Sequence, residues 1–150
     1  FLRALFYFNL TLYFGNPPLL LTPSQPTDVP PNATTAEAYA QVAKDLNEAI
    51  PDLPLSYSGD DLGRATRGAA YALLGKTHLQ QKQYQLAFNA FDWLITGPGA
   101  AIYRLTTNYR DNFIISRENN EESVFEIQFN ENLAENTDDD VDESRVNNTG

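Results

Sequence analysis

The 150-residue sequence contains no cysteine. That excludes a disulfide framework, a thiolate nucleophile and a cysteine-based zinc site, and it leaves the redox compartment unread. Histidine is nearly as scarce: His78 stands alone, so imidazole chemistry has a single residue to draw on. Positive charge is also in short supply, with ten Lys and Arg against twenty Asp and Glu and a net charge of -10. A phosphate-rich partner would be repelled, which sets nucleic acid aside. Long hydrophobic runs are missing too. The most apolar stretch, Phe1 to Phe14, is interrupted by Arg3 and Asn9 and falls short of the roughly 18 to 20 apolar residues of a spanning helix. It has neither the basic leader nor the small-residue cleavage site of a secretory signal. It reads as ordinary helix, and the chain as a fragment whose targeting information lies elsewhere.

What is present is globular, with enough apolar material for one domain or a piece of a larger one. The first helix spans residues 1–14 and ends at Gly15, where Asn16-Pro17-Pro18 blocks its continuation. Six prolines between Pro17 and Asn32 then predict a long, extended surface loop. Thr34-Thr35-Ala36-Glu37 has the pattern of a capping box. The helix that follows carries Tyr39, Val42, Ala43, Leu46 and Ile50 on one stripe and closes at Pro51 and Pro54. Residues 55–63 read as a polar turn region.

The stretch GRATRGAAYALLGKTHLQQKQYQLAFNAF predicts a helical hairpin. Thr66 caps a helix to about Gln81, a second helix runs from Gln83 to about Ile95, and Gly97-Pro98-Gly99 stops it. Glycine inside a helix costs about 1 kcal/mol against alanine, so Gly75 needs a reason. Set at the small position eight of a tetratricopeptide repeat, it places Tyr71, Leu74, His78, Ala87 and Phe91 at the repeat's expected aromatic, apolar and small positions. Gly75 and Ala87 would then mark the close crossing of the two helices. Pro98 lies one place early, and Leu94 replaces the usual alanine. One repeat cannot cover its own face, so helices 1–14 and 35–50 are expected to form an earlier hairpin with the proline-rich loop between its halves. Further on, SVFEIQFN alternates and predicts a minor β-strand near 123–129. Residues 131–150 form an acidic loop, expected to be flexible.

For chemistry, Glu121, Glu122 and Glu126 flank the strand and are the carboxylates that a glycosidase could pair, but Glu121 and Glu122 sit in the turn RENNEES, where solvated charge is the ordinary state. His78 could act as a base, yet its repeat position predicts a ring packed between helices. The run beginning at Asp138 fails the EF-hand pattern, with Glu143 at the sixth place and Thr149 at the twelfth. No catalytic or metal-ligating residue is therefore assigned, and no cofactor. Of the eighteen aromatic residues, Phe1, Phe6, Phe8, Tyr13, Phe88 and Phe91 are expected in the core. Trp93 shares a stripe with Leu86 and Ala90 and is expected to pack on a neighbouring element. Tyr57, Tyr103 and Tyr109 lie in connections and are the freest to meet a ligand.

Five blocks in order now carry a resemblance: FLRALFYFNLTLYFGNPPLL, AYAQVAKDLNEAIPDLP, GRATRGAAYALLGKTHLQQKQYQLA, NYRDNF and ENNEESVFEIQFN. Together, over roughly Phe1 to Asn130, the chain resembles the SusD/RagB family of outer-membrane glycan-binding lipoproteins of Bacteroidota. The resemblance implies a mainly α fold with tetratricopeptide-like hairpins and long irregular loops, residues 1–130 being a fragment of a larger domain. It also implies a non-enzymatic, surface-exposed protein, lipid-anchored on the outer membrane, that captures glycan or another nutrient and delivers it to a SusC-like TonB-dependent transporter. The anchoring cysteine is not in this chain. Because the family's ligand residues fall mainly outside the shared blocks, no glycan-binding residue is carried over to a numbered position. Two other readings compete: a repeat scaffold that binds a protein or peptide, and a glycosidase using Glu121 or Glu126.

Overall fold

The computed structural model describes residues 1–25, 27 and 29–128. Four α-helices carry the fold: α1 (Leu2–Phe14), α2 (Thr35–Ala49), α3 (Arg67–Gln80) and α4 (Tyr84–Ile95). Local signals set their ends. Thr34 Oγ1 accepts from the Glu37 amide at 3.2 Å while the Glu37 carboxylate accepts from the Thr34 amide at 2.8 Å, which closes the predicted capping box. Those bonds, the backbone one first, hold the Glu37 carboxyl below its ordinary pKa. Thr66 caps α3 by accepting from the Ala69 amide at 3.1 Å.

The helices form two antiparallel pairs. Arg3 near the start of α1 meets Asp45 near the end of α2, Phe8 meets Tyr39, and Asn16 just past α1 accepts from the Thr35 amide at 2.9 Å. The loop between the two is fastened rather than free. Pro18 bridges to Asn32, and the Tyr7 hydroxyl donates to the Leu20 carbonyl at 3.1 Å and accepts from the Leu20 amide at 2.7 Å. In the second pair, Tyr71 stacks on Trp93 with ring centroids 4.4 Å apart, Gly75 faces Phe91, and His78 Nδ1 lies 2.7 Å from Gln83 Oε1 in the connection. Trp93 thus packs on the neighbouring helix, as its stripe implied.

One core joins the pairs: Ala4 and Phe8 of α1, Tyr39, Val42 and Leu46 of α2, Ala70, Leu73 and Leu74 of α3, and Ala90 of α4. Val42 and Leu46 are fully buried, each contributing about 1.5–3 kcal/mol of hydrophobic stabilisation. Asp45 is buried among them and forms a bidentate pair with Arg3 at 2.6 and 2.7 Å, with Gln41 donating a third bond at 2.6 Å. The Arg3 bonds chiefly, and the Gln41 bond in support, hold the Asp45 carboxyl below the usual carboxylate range against the opposing effect of burial.

Gly75 has the predicted role with a different occupant. A Cβ placed there would lie 2.5 Å from Phe91 Cε1, and its three nearest atoms all belong to the Phe91 ring. Ala87 is buried nearby, but the ring, not the alanine, fills the notch.

Two expectations are corrected. Residues 123–128 form no strand, and none occurs among the described residues. Alternation supplies a strand's faces but not the neighbouring ladder its backbone must pair with. Phe125 instead packs edge-on against Phe1 at 5.3 Å, while Ile127 is exposed. Phe6, Tyr13 and Phe88 are also exposed, not core. Helix α1 buries Ala4, Phe8 and Thr11, one face of a helix that is apolar almost all round, so periodicity could not choose the inward side. Helix α4 buries Ala87, Ala90 and Leu94, which turns Phe88 outward. The acidic loop at 131–150 lies outside the described residues.

Two stability predictions follow from these contacts. Gly75→Ala should lower stability in urea titrations by about 1–2 kcal/mol, overpacking outweighing the gain in helix propensity. In a Phe91→Ala background the same change should stabilise, and stabilisation in both backgrounds would show that the ring yields without cost. Because folding lowers the Asp45 pKa, its stabilisation is complete at neutral pH and is lost as pH falls below about 4. Asp45→Asn should therefore cost about 2 kcal/mol at pH 7, with the gap to wild type narrowing by pH 3. A gap independent of pH would refute the assignment.

Candidate functional site

Three chain segments far apart in sequence meet beside the N-terminus of α3: the loop at 55–66, the turn carrying Ile102 and Tyr103, and the segment 119–126. They enclose a cleft of about 190 Å³. At roughly 30 Å³ per water that is the volume of about six waters, below the 300–1,000 Å³ typical of drug-sized pockets. Its walls combine Tyr57 and Tyr103 with Asn119, Glu121, Ser123 and Glu126.

Each wall is held differently. Gly68, on the first turn of α3, has no Cβ because the Tyr103 ring occupies that space. The Tyr103 hydroxyl lies 3.0 Å from Thr66 Oγ1, the atom that caps α3, so one aromatic wall is locked to the helix start. The 119–126 wall is fixed by its own hydrogen bonds. Asn119 adopts a left-handed conformation at φ 57°, which asparagine tolerates better than most residues. Its amide donates to Glu126 Oε1 at 3.1 Å, and its side chain exchanges two 3.1 Å bonds with the Gln128 amide. The Arg104 amide donates to the Glu121 carbonyl at 2.9 Å, joining this segment to the Tyr103 turn. The 55–66 loop is anchored at its end, where the Arg67 amide and guanidinium donate to the carbonyls of Pro54 and Leu53 at 2.8 and 3.1 Å. Gly63, at φ 92°, leaves the space that the Gln128 side chain fills.

Tyr57 differs from Tyr103. It is half-buried in the cleft, and its hydroxyl makes no hydrogen bond among the described residues. Of the three tyrosines in connections, the fold brings Tyr57 and Tyr103 together and leaves Tyr109 outside, exposed and edge-on to Phe113 at 5.2 Å.

The three glutamates also separate. Glu121 and Glu126 face the cleft. Glu122 is structural: the Asn112 side chain first, then the Thr106 amide and hydroxyl at 3.0 Å each, hold its carboxyl below the ordinary value. A general acid needs the opposite shift. His78 lies elsewhere, bonding Gln83 in the hairpin connection. No group of three or more acidic, histidine or cysteine side chains among the described residues is arranged to hold a metal ion, and the run from Asp138 lies outside them. No helix among the described residues is long and apolar enough to cross a membrane. Reading the sequence alone missed Asn119 and Ser123 as cleft residues. Asn119-Asn120 signals a turn, but nothing local says what the turn faces.

Comparison with known proteins agrees with this architecture. Residues 1–79 match a SusD-like family described as starch-binding and associating with the outer membrane. A SusD-like protein of Formosa agariphila is 28% identical over 131 residues, spanning 86% of this chain and 24% of that protein. A solved laminarin-binding SusD-like protein is 39% identical with a TM-score of 0.77, over 83% of this chain and 28% of its own. The surface glycan-binding protein A of Bacteroides thetaiotaomicron, solved in complex with laminarihexaose, is 26% identical with a TM-score of 0.72, over 85% of this chain and 26% of its own. The chain therefore spans about a quarter of the length of these relatives. With more than half of its residues matched by the family, and its mainly helical fold shared with solved members, the chain belongs to the SusD-like family.

Proposed function

We propose that this chain is part of a non-enzymatic cell-surface protein that binds oligosaccharide or polysaccharide and delivers it to a SusC-like TonB-dependent transporter of the outer membrane. The observation that carries the reading is the likeness, at 39% identity, to a laminarin-binding member of the family. The laminarihexaose complex of a second relative points to the same ligand class. The proposed surface exposure and lipid anchor are supported by the family's description as associating with the outer membrane.

The described region serves as one part of a larger helical domain. Leu2, Phe6 and Tyr13 of α1, and Tyr84, Phe88 and Ile95 of α4, are exposed apolar side chains on outward stripes. Such stripes suit further helices, since stacked hairpins bury one another's faces. Binding without bond cleavage is supported by Glu122, whose carboxyl is held below its ordinary pKa by hydrogen bonds, the opposite of the shift a general acid needs.

A second reading, a scaffold for a protein or peptide, draws on a separate groove where Asn47, Tyr71, His78 and Asn89 come together between α2, α3 and α4. Glycan-array and peptide-array binding by the intact protein separate the two readings. Binding to glycans, with co-purification of the transporter from membranes, is the expected result. Binding to peptides alone would favour the scaffold. The intact protein should also release no reducing ends from any glycan it binds, and hydrolysis abolished by Glu121→Gln or Glu126→Gln would overturn the non-enzymatic reading.

A further inference from the structure

Resting on the glycan-binding reading above, we propose that the cleft between the 55–66 loop and segment 119–126 is a subsite for an uncharged sugar ring, with Tyr57 as its stacking platform. The volume, about 190 Å³, suits one ring of a chain whose remainder lies on the open surface. Tyr57 lines the cleft with its side chain half-buried, and among the described residues no hydrogen bond ties its hydroxyl. Pyranose rings present C–H faces to an aromatic ring and hydroxyls around their edge. An aromatic face and a rim of acceptors fit those two halves.

The rim is acceptor-rich. Glu121 and Glu126 line the cleft, and ionised carboxylates accept but do not donate. The Glu126 carboxylate accepts from one backbone amide, that of Asn119, which leaves lone pairs for sugar O–H donors. Hydrogen bonds to an ionised acceptor are roughly twice as strong as neutral ones. The Ser56 and Ser123 hydroxyls also line the cleft and are free of hydrogen bonds among the described residues, so they can turn to donate or accept as a hydroxyl-bearing ligand requires.

The same arrangement rejects acidic sugars. Among the described residues Arg64 is the only cationic side chain lining the cleft, and it is paired with Asp61 at 2.7 Å. Arg104, outside the cleft lining, faces Glu121 at 3.6 Å. A uronate or sulfate group would meet Glu126, which has no cationic partner among the described residues, and Glu121, whose partner Arg104 is already engaged, a like-charge juxtaposition that disfavours binding.

The test is calorimetric titration of the intact protein with neutral glucan, mannan, xylan and galactan hexasaccharides, laminarihexaose among them, and with an oligogalacturonate. Wild type should bind at least one neutral member and bind the uronate at least tenfold more weakly. Tyr57→Ala should weaken the neutral ligand about tenfold, the loss expected for one aromatic stack. Tyr57→Phe should stay near wild type, and all three proteins should share one unfolding midpoint. If wild type binds a neutral glycan and Tyr57→Ala binds it equally well, the subsite is wrong while the glycan reading stands. Uronate binding as tight as neutral binding would refute the charge argument, and binding of no glycan at all would remove the functional reading together with the subsite.

Discussion

Helix α3 can be the central helix only because it is narrow in two places. Gly68 and Gly75 are seven residues apart, two turns of helix, so they lie on nearly the same stripe. Each is a notch filled by an aromatic ring from another element: Phe91 of α4 at Gly75, and Tyr103 of the turn beyond α4 at Gly68. A single stripe of missing side chains therefore sets both the hairpin crossing and the position of one wall of the cleft. The glycines lower helix propensity by about 1 kcal/mol each, and the packing of two buried or half-buried rings offsets that cost. Scaffold and site share one constraint, although they are built from different segments.

The other half of the structure depends on a polar contact. Asp45 is the one buried carboxylate among the described residues, placed between Val42 and Leu46 on the face of α2 that packs into the core. A charge there is tolerable only when paired and hydrogen-bonded. Arg3 provides the fork, Gln41 the third bond, and the remaining guanidinium nitrogen reaches the Leu21 carbonyl at 3.3 Å. The pair thus fixes α1 against α2 and also draws in the proline-rich loop, which Tyr7 grips from the same helix through Leu20. The 20-residue connection is held at Leu20 and Leu21 by side chains of α1 and at its ends by the Asn16–Thr35 bond and the bridge between Pro18 and Asn32.

Which of these features the sequence made legible follows from the range of the interactions. Caps and stops depend on residues three or four apart, so Thr34, Glu37, Thr66 and Gly15 could be read directly. The glycine in α3 was legible as a close approach because repeat spacing fixed its partner helix; which residue filled the notch was not. Phe6 and Phe8 look alike in a helix apolar on every side, and only the position of α2 decides that Phe8 is inside. The segment around Phe125 alternated like a strand, but pairing is a property of two segments. Asp45 carried a signal that could have been used: an acidic residue on a core stripe calls for a basic partner, and Arg3 is 42 residues away. The cleft was the least legible feature. Its residues come from three segments far apart in sequence, one reading as a polar turn region and another as a strand, and nothing local joins them.

The two sides of the cleft are held to different degrees. On one side of the cleft Tyr103 is fixed by the Gly68 notch and by Thr66, and segment 119–126 is fixed by the Asn119, Glu126 and Gln128 bonds. These walls are organised before any ligand arrives, so binding there pays little ordering entropy. On the other side, Tyr57 projects from a loop held at its ends by Arg67 and by the Gly63–Gln128 contact, and its hydroxyl is untethered. The cleft and the helix scaffold meet at Gly68 and Thr66 on the Tyr103 side, at Arg67 on the loop side and at the Phe1–Phe125 contact, so the α3–α4 crossing at Gly75 is two turns away from the cleft wall.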